Sequence, residues 1–252
     1  MTEENKVNDR KYRSWFSIFV NSLKENDEDF TTAPIKYALP LLAIPMMIEL
    51  SMEAIFAVVD ITFVSFLGTD AVAAVGITEA LITVLYAVSM GLGVTVTAMV
   101  SRRVGENKRK EAAEITGQII WISGVISIFV AIIGYYFAAD MLELLGANKS
   151  VVAIGESYTT ILFCGSASIM YLFLLNAAFR GAGDASIAFK SLAIANGTNI
   201  ILDPCLIFGI GFFPELGVKG AAIAAQVAFG AMKRSSGAVS YTHLTLPTTP
   251  YV

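Results

Sequence analysis

The chain has 252 residues, of which 56% are hydrophobic and 15% are charged, and its mean hydropathy is +0.68. Soluble domains average about 45–50% apolar and about 25% charged residues, so this composition excludes an ordinary soluble domain and indicates an integral membrane protein in a lipid bilayer. The formal net charge of −4 argues against nucleic acid as a partner, since phosphate binding needs a concentrated basic face.

Six apolar segments are predicted to be transmembrane helices, because about 20 apolar residues span the hydrocarbon core. In chain order they cover residues 37–67, 71–100, 112–145, 151–179, 187–213 and 217–232. The sixth is short for a full span. The predicted fold is therefore all-α, a six-helix transmembrane lobe over residues 37–232 that follows a cytoplasmic N-terminal segment, residues 1–36.

Basic residues set the predicted orientation. If the N-terminal segment and the loops after helices two, four and six share one side, that side holds 15 of the 17 Lys and Arg residues. Positive charge concentrates on the cytoplasmic side of membrane proteins. The sequence therefore predicts a multi-pass protein of the cytoplasmic membrane with its N-terminus inside the cell.

The C-terminal tail, residues 233–252, has neither membrane character nor a plausible helix end. From about residue 238 it resembles the translation of a sequencing-adapter read-through, so we expect this stretch to be an artefact and the natural protein to continue past about residue 230. A genuine disordered cytoplasmic tail is the alternative.

The sequence offers no metal-ligand cluster and indicates no cofactor. Cys164 and Cys205 lie in apolar runs, where buried free thiols are more common than a disulfide, and the single histidine, His243, lies in the tail.

Two helices carry polar stripes that are costly in lipid and therefore suggest function. In helix one, Glu49, Glu53 and Asp60 are separated by four and seven residues, which places them on one helical face that must line a cavity or another polar face. In helix five, Asn196, Asn199 and Asp203 are separated by three and four residues and form the second polar stripe.

The helix-five stripe is predicted to face Asp60. Pro204 cannot donate a backbone N–H, which frees the carbonyl of Ile200, so carboxylate, carboxamide and carbonyl oxygens meet there. Such a group predicts a proton or sodium site at Asp60, Asn199 and Asp203; the alternative is a buried hydrogen-bonded pair that only holds helices together. Tyr158 and Asn176 are further cavity-lining candidates, although an interfacial tyrosine and a helix-end asparagine are equally ordinary.

Four stretches together resemble the multidrug and toxic compound extrusion (MATE) family. They are Val59–Gly68 continuing into Ala71–Gly76, Gly91–Gly93 followed by Val100–Gly105, Phe179–Asp184, and Asn199–Pro204 followed by Leu216–Ala222. Each stretch is weak alone, but their order and spacing are specific.

The resemblance implies two six-helix lobes around a central cavity, with this chain as the N-terminal lobe and the C-terminal lobe missing. It implies a membrane antiporter, not an enzyme, that exports small amphiphilic or cationic drugs in exchange for H⁺ or Na⁺. It also implies a cation site at Asp60, Asn199 and Asp203. One departure is Ala225, where some members place a threonine, which disfavours sodium.

Three alternatives compete with this interpretation. A lipid-linked oligosaccharide flippase of the same superfamily would need basic residues for pyrophosphate, whereas the intramembrane charges here are mostly acidic. An intramembrane aspartyl hydrolase would use Asp60 and Asp203 as a dyad, but the Gly-rich aspartate contexts of such enzymes are missing. A half-size transporter subunit that dimerises is the third.

Overall fold

The computed structural model describes residues 35–183 and 185–230, together with Phe19, Ser22 and Leu23. This part of the chain is helical and contains no strand. The seven helices are α1 (Ile35–Ser65), α2 (Thr69–Gly105), α3 (Arg109–Leu144), α4 (Lys149–Cys164), α5 (Ser166–Gly181), α6 (Ala185–Phe208) and α7 (Val218–Gly230). The tail and nearly all of the N-terminal segment lie outside the described residues.

The all-α membrane fold is confirmed. Helices α1, α2, α3 and α6 are each long and apolar enough to cross a membrane, and α4 with α5 forms a bent fifth span. Along α3, Trp121, Val125, Ile128 and Ile132 repeat every three or four residues and are all half or more exposed. An exposed apolar stripe of this kind fits a helix face in contact with lipid.

The fourth predicted span, residues 151–179, is bent in the structure. The structure breaks this span at Gly165, and α4 and α5 meet at an angle of 46°. The side chain of Gln226 on α7 fills the space beside the break, so that a Cβ at Gly165 would lie 2.1 Å from its amide. Since Gly165 sits inside an apolar run, hydropathy alone gives no sign of the bend.

The fifth predicted helix also ends earlier, at Phe208 and not at residue 213. Gly209 adopts a left-handed conformation with φ +69°, and the N–H of Ile210 donates to the carbonyl of Cys205 at 3.1 Å. This is the pattern of a helix that stops at a C-terminal glycine. Residues 209–217 therefore form the loop before α7.

Small residues bring the spans close together. The hydroxyl of Thr97 on α2 donates to the carbonyl of Ala177 on α5 at 2.9 Å, and a Cβ at Gly181 would lie 2.8 Å from the Thr97 carbonyl oxygen. Thr78 and Thr159 join α2 to α4 through a 2.7 Å hydroxyl contact. Such close approaches and interhelical hydrogen bonds are how helices associate in lipid.

The end of the bundle that holds the turn between α2 and α3 and the C-terminal end of α5, which we call the basic end, carries an ion-pair network. Arg102 and Arg103 both bond the carboxylate of Glu106, at 3.0 and 2.8 Å, and Lys108 lies nearby. Hydrogen bonds from the two arginines hold the pKa of Glu106 below its usual value. This network closes the turn between α2 and α3.

Helix α1 is packed on one side only. It contacts α6 extensively and α2 much less, so part of its polar face is left open. Pro40 and Pro45 lie inside α1, where each removes a backbone N–H donor. The open face of α1 forms one wall of the cavity described next.

Candidate functional site

The three acidic residues of α1 open onto one cavity of about 240 Å³. Glu49, Glu53 and Asp60 all line it, in agreement with their spacing along the helix. The opposite walls come from α2, α5, α6 and α7, chiefly through Glu79, Tyr86, Phe173, Asn176, Asn196 and Phe229. The cavity is thus lined by helices of this chain and carries four carboxylates.

The charged residues in the cavity wall are all acidic. Glu49, Glu53, Asp60 and Glu79 contribute four carboxylates, and the wall contains no lysine or arginine among the described residues. Aromatic rings face the same space, and Tyr86 and Phe173 lie 5.5 Å apart between ring centroids. A cavity with acidic and aromatic walls suits a cation, which is attracted to carboxylates and to the faces of aromatic rings.

Glu49 is the paired carboxylate of the cavity. Nη1 of Arg180 lies 3.3 Å from both of its oxygens, and Nδ2 of Asn176 donates to Oε1 at 3.3 Å. Asn176 and Arg180 lie one turn apart on α5, so the contact ties α5 to α1 near the basic end. The spacing of Asn176 and Arg180 is visible in the sequence, but nothing there links them to Glu49.

The predicted stripe on α6 is divided by the structure. Asn196 lines the cavity, whereas Asn199 and Asp203 lie behind the wall and are 1% and 0% exposed. With its carboxamide oriented so that both ends have partners, Asn199 donates from its nitrogen to Oδ2 of Asp203 at 2.5 Å, and its oxygen accepts the backbone N–H of Ala225 on α7 at 3.0 Å. Both ends of the Asn199 side chain are therefore satisfied within the protein.

Asp60 connects the cavity to this buried pair. Its carboxylate lines the cavity and is near enough to Asp203 for the two charges to interact. Glu79 on α2 lies within the same electrostatic range of Asp60. Three carboxylates from three helices thus interact with one another through Asp60, and Asn199 bonds to one of them, Asp203.

Tyr158, a cavity-lining candidate from the sequence, lies in the hydrophobic core of the structure. It is 3% exposed, does not line the cavity, and packs in the core with Val64, Val75 and Leu162. Its hydroxyl faces Glu79 from behind the wall. Burial among α1, α2 and α4 explains why it contacts the acid cluster but not the cavity.

Sequence reasoning missed the aromatic wall. Tyr86 follows Glu79 by seven residues and so shares its face of α2, which is the one available signal. Phe173 and Phe229 show no comparable pattern in the sequence, because aromatic residues are common throughout membrane helices.

Among the described residues, no three His, Cys, Asp or Glu side chains are grouped as metal ligands.

Comparison with known proteins identifies the family. The family model MatE matches residues 45–205, which is more than half of the chain and includes α2 to α5 and most of α1 and α6. The chain belongs to the MatE family.

Two named relatives align with about three quarters of this chain. The FAD transporter of Shewanella oneidensis is 30% identical over 77% of the chain and 43% of its own length. The probable multidrug resistance protein YoeA of Bacillus subtilis is 27% identical over 75% of the chain and 41% of its own length. The chain therefore spans less than half the length of these relatives.

Solved MatE-family structures share the fold. A crystal structure of MATE in the bent conformation matches 90% of this chain and 48% of its own chain, with a TM-score of 0.75 and 25% identity. A MOP superfamily transporter from Pyrococcus furiosus, described as having a binding pocket of reverse polarity, has the same TM-score and 28% identity, over 86% and 47% of the two chains.

Proposed function

We propose that the protein is the N-terminal lobe of a proton-coupled antiporter that exports organic cations or cationic amphiphilic drugs across the cytoplasmic membrane. The observation that carries this proposal is the cavity with four carboxylates and no basic side chain among its described lining residues. Family membership and the names of relatives such as the probable multidrug resistance protein support it. The basic end, which holds Arg102 and Arg103, would face the cytoplasm.

Competition for the same negative charge explains the coupling. A carboxylate in the cavity binds either a proton or a cationic substrate, so arrival of one favours departure of the other. Asp60 is the candidate exchange point, because it lines the cavity and interacts with the buried pair of Asn199 and Asp203. Rocking of this lobe against a second lobe would then expose the cavity to each side in turn.

A proton suits this site better than sodium. A sodium ion needs several oxygen ligands, but the carboxamide oxygen of Asn199 already accepts the Ala225 N–H and its nitrogen faces Asp203. Ala225 offers no hydroxyl. The remaining donors are carboxylates, which also carry protons, and we therefore propose H⁺ as the coupling ion.

Acidic walls disfavour the anionic alternatives. FAD and lipid-linked oligosaccharides both carry pyrophosphate, which basic side chains usually hold. The described lining of this cavity offers none. The hydrolase alternative is disfavoured because Asp203 is 0% exposed and bonded to Asn199, which keeps it from attacking water or substrate.

Efflux from cells tests the proposal. In cells without other pumps, the complete two-lobe protein should lower ethidium accumulation, a protonophore should restore it, and removal of sodium should not. Asp60→Asn and Asp203→Asn should each abolish efflux, while Asp140→Asn, an exposed acid on α3, should leave it unchanged.

Normal efflux by both Asp60→Asn and Asp203→Asn would overturn the proposed site. Efflux that needs sodium and ignores a protonophore would overturn the proposed coupling ion. Accumulation that the wild-type protein does not alter, for ethidium and other organic cations alike, would overturn the exporter itself.

A further inference from the structure

The loop between α6 and α7, residues 209–217, is folded back on the end of α6, and we call it the aromatic loop. The backbone N–H of Leu216 donates to the carbonyl of Leu206 at 3.0 Å, and the N–H of Gly217 donates to the carbonyl of Ile207 at 3.1 Å. These bonds join the end of the loop to the last turn of α6. The aromatic loop is therefore closed at its base by backbone contacts.

The tip of the aromatic loop presents two stacked rings. Phe212 and Phe213 lie 4.5 Å apart between ring centroids, and Phe212 is 90% exposed. Below the tip the two arms of the loop meet, since a Cβ at Gly209 would lie 2.8 Å from the backbone nitrogen of Glu215. Because the base is closed, the ring pair cannot withdraw into the core, and it contacts whatever surrounds the lobe at this level.

The aromatic loop begins where a membrane span ends. Helix α6 has 24 residues, or about 36 Å at 1.5 Å per residue, whereas the hydrocarbon core of a bilayer is about 30 Å thick. Helix α6 starts at Ala185, soon after α5 ends at the basic end, so its last residue, Phe208, reaches the opposite boundary of the hydrocarbon core. The loop that follows Phe208 therefore lies at the depth of the lipid headgroups.

Aromatic rings from a second span lie at the same level. Phe63 and Phe66, at the end of α1, meet the ring of Phe208 edge-on, with centroids 6.4 and 6.2 Å apart. Phe66 is itself 72% exposed. Aromatic residues at the ends of separate spans form the belts that lie at the interface between membrane and water.

The side chains of the aromatic loop suit lipid. Glu215, at the base, is the only charged residue between positions 205 and 217, and residues 209–214 carry no side chain that forms hydrogen bonds. None of the loop residues, all of which the structure describes, lines the acidic cavity. The exposed ring pair is therefore separate from the cavity through which we propose export.

We propose that the aromatic loop is a membrane anchor: the rings of Phe212 and Phe213 insert at the boundary between headgroups and acyl chains in the outer leaflet and fix the depth of α6 and α7. The partner is the lipid bilayer itself. Insertion covers the rings, while the loop backbone stays bonded to α6 and within reach of water. Interfacial aromatic anchors of this kind set how a span sits in the bilayer.

Quenching of a single tryptophan by spin-labelled lipids tests the anchor. The reporter Phe212→Trp is placed in the complete two-lobe protein, with its other tryptophans, among them Trp15 and Trp121, replaced by phenylalanine. The protein is reconstituted in vesicles of phosphatidylethanolamine and phosphatidylglycerol. A nitroxide close to the lipid glycerol backbone should remove more of the reporter fluorescence than a nitroxide close to the end of an acyl chain.

Phe129→Trp in the same background is the matched control. Phe129 is also well exposed, at 66%, but it lies near the centre of the uncharged stretch of α3, residues 115–139, and should show the opposite order of quenching. Phe213→Trp should behave like Phe212→Trp, because the two rings are stacked. It replaces Phe212→Trp as the reporter if size exclusion and thermal melting show that Phe212→Trp does not fold.

Water-like emission with little quenching by either lipid would overturn the anchor, because the ring would lie outside the bilayer. Blue-shifted emission that neither lipid quenches would mean that protein, such as the second lobe, covers the ring, and it would overturn lipid as the partner. Stronger quenching by the deep nitroxide would overturn the interfacial depth. None of these measurements involves transport, so failure of the anchor and failure of the proposed exporter are separate results.

Discussion

Two asparagines of α6, three residues apart, have opposite hydrogen-bonding situations. Asn199 uses both ends of its carboxamide, toward Asp203 and the Ala225 backbone, whereas Nδ2 of Asn196 has no partner among the described residues. The free energy of a hydrogen bond depends on whether its partner is left unsatisfied when it is removed. The same substitution should therefore have different effects at the two positions.

Asn199→Leu should lower the free energy of unfolding by about 2–4 kcal/mol, because it leaves the buried Asp203 carboxylate without its donor. Asn196→Leu should change it by less than about 1 kcal/mol, because it replaces an unpaired buried amide with an apolar group of similar size. Unfolding in detergent, followed by circular dichroism, measures both. Equal destabilisation by the two variants would contradict the assigned bonding of Asn199.

At this scale the sequence predicts positions better than partners. Regular spacing places Glu49, Glu53 and Asp60 on one face of a helix, and all three line the cavity. Pairing of Glu49 with Arg180 depends on how α1 lies against α5, 131 positions apart in the chain, which helical periodicity does not encode. For the same reason spacing alone puts Asn199 and Asp203 at the cavity surface, although they lie behind it.

Contact between α3 and α4 depends on a glycine at one position. A Cβ at Gly134 would lie 2.1 Å from Cβ and 2.7 Å from Cγ of Phe163, atoms close to the backbone that have little room to move. At Gly117, on the same helix, an added Cβ would have nothing within 4 Å, so a methyl group there meets open space. The two glycines form a matched pair.

Gly134→Ala should lower the thermal unfolding midpoint clearly, with a loss of about 1–3 kcal/mol from overpacking, because α3 and α4 must separate. Gly117→Ala should leave stability unchanged or raise it by up to about 1 kcal/mol, since alanine favours the helix. Thermal melting of the purified variants compares them directly. A Gly134→Ala protein as stable as Gly117→Ala would show that the two helices lie further apart than these distances require.

The ends of helices can be predicted from the sequence where hydropathy changes or a capping residue is present, and not elsewhere. Hydropathy locates the long spans, and Gly146 with Asn148 marks the turn after α3, where Asn148 accepts the N–H of Val151 at 2.9 Å. The break at Gly165 carries no local mark, because the side chain that fills the space beside it, Gln226, belongs to a distant helix. Gly209 ends α6 inside an apolar run whose hydropathy continues past it.

The two ends of the lobe differ in charge. The loop between α2 and α3 lies in a cluster of five basic residues, while the loop between α6 and α7 presents apolar side chains, including Phe212, which is 90% exposed. Basic loops stay in the cytoplasm, and exposed aromatic residues are common at the membrane surface. We therefore expect opposite accessibility for these two loops in the cell.

Labelling of single cysteines checks this orientation. In a background where Cys164 and Cys205 are replaced by serine, a membrane-impermeant maleimide added to intact cells should label Phe212→Cys and leave Asn107→Cys unlabelled. Permeabilised cells should give labelling at both positions, which controls for reactivity, since both lie in loops. Labelling of Asn107→Cys alone in intact cells would show that the lobe has the opposite orientation. Glu53 would then lie nearer the outside of the cell than Asp60. A cation from the cytoplasm would therefore meet Asp60 before Glu53.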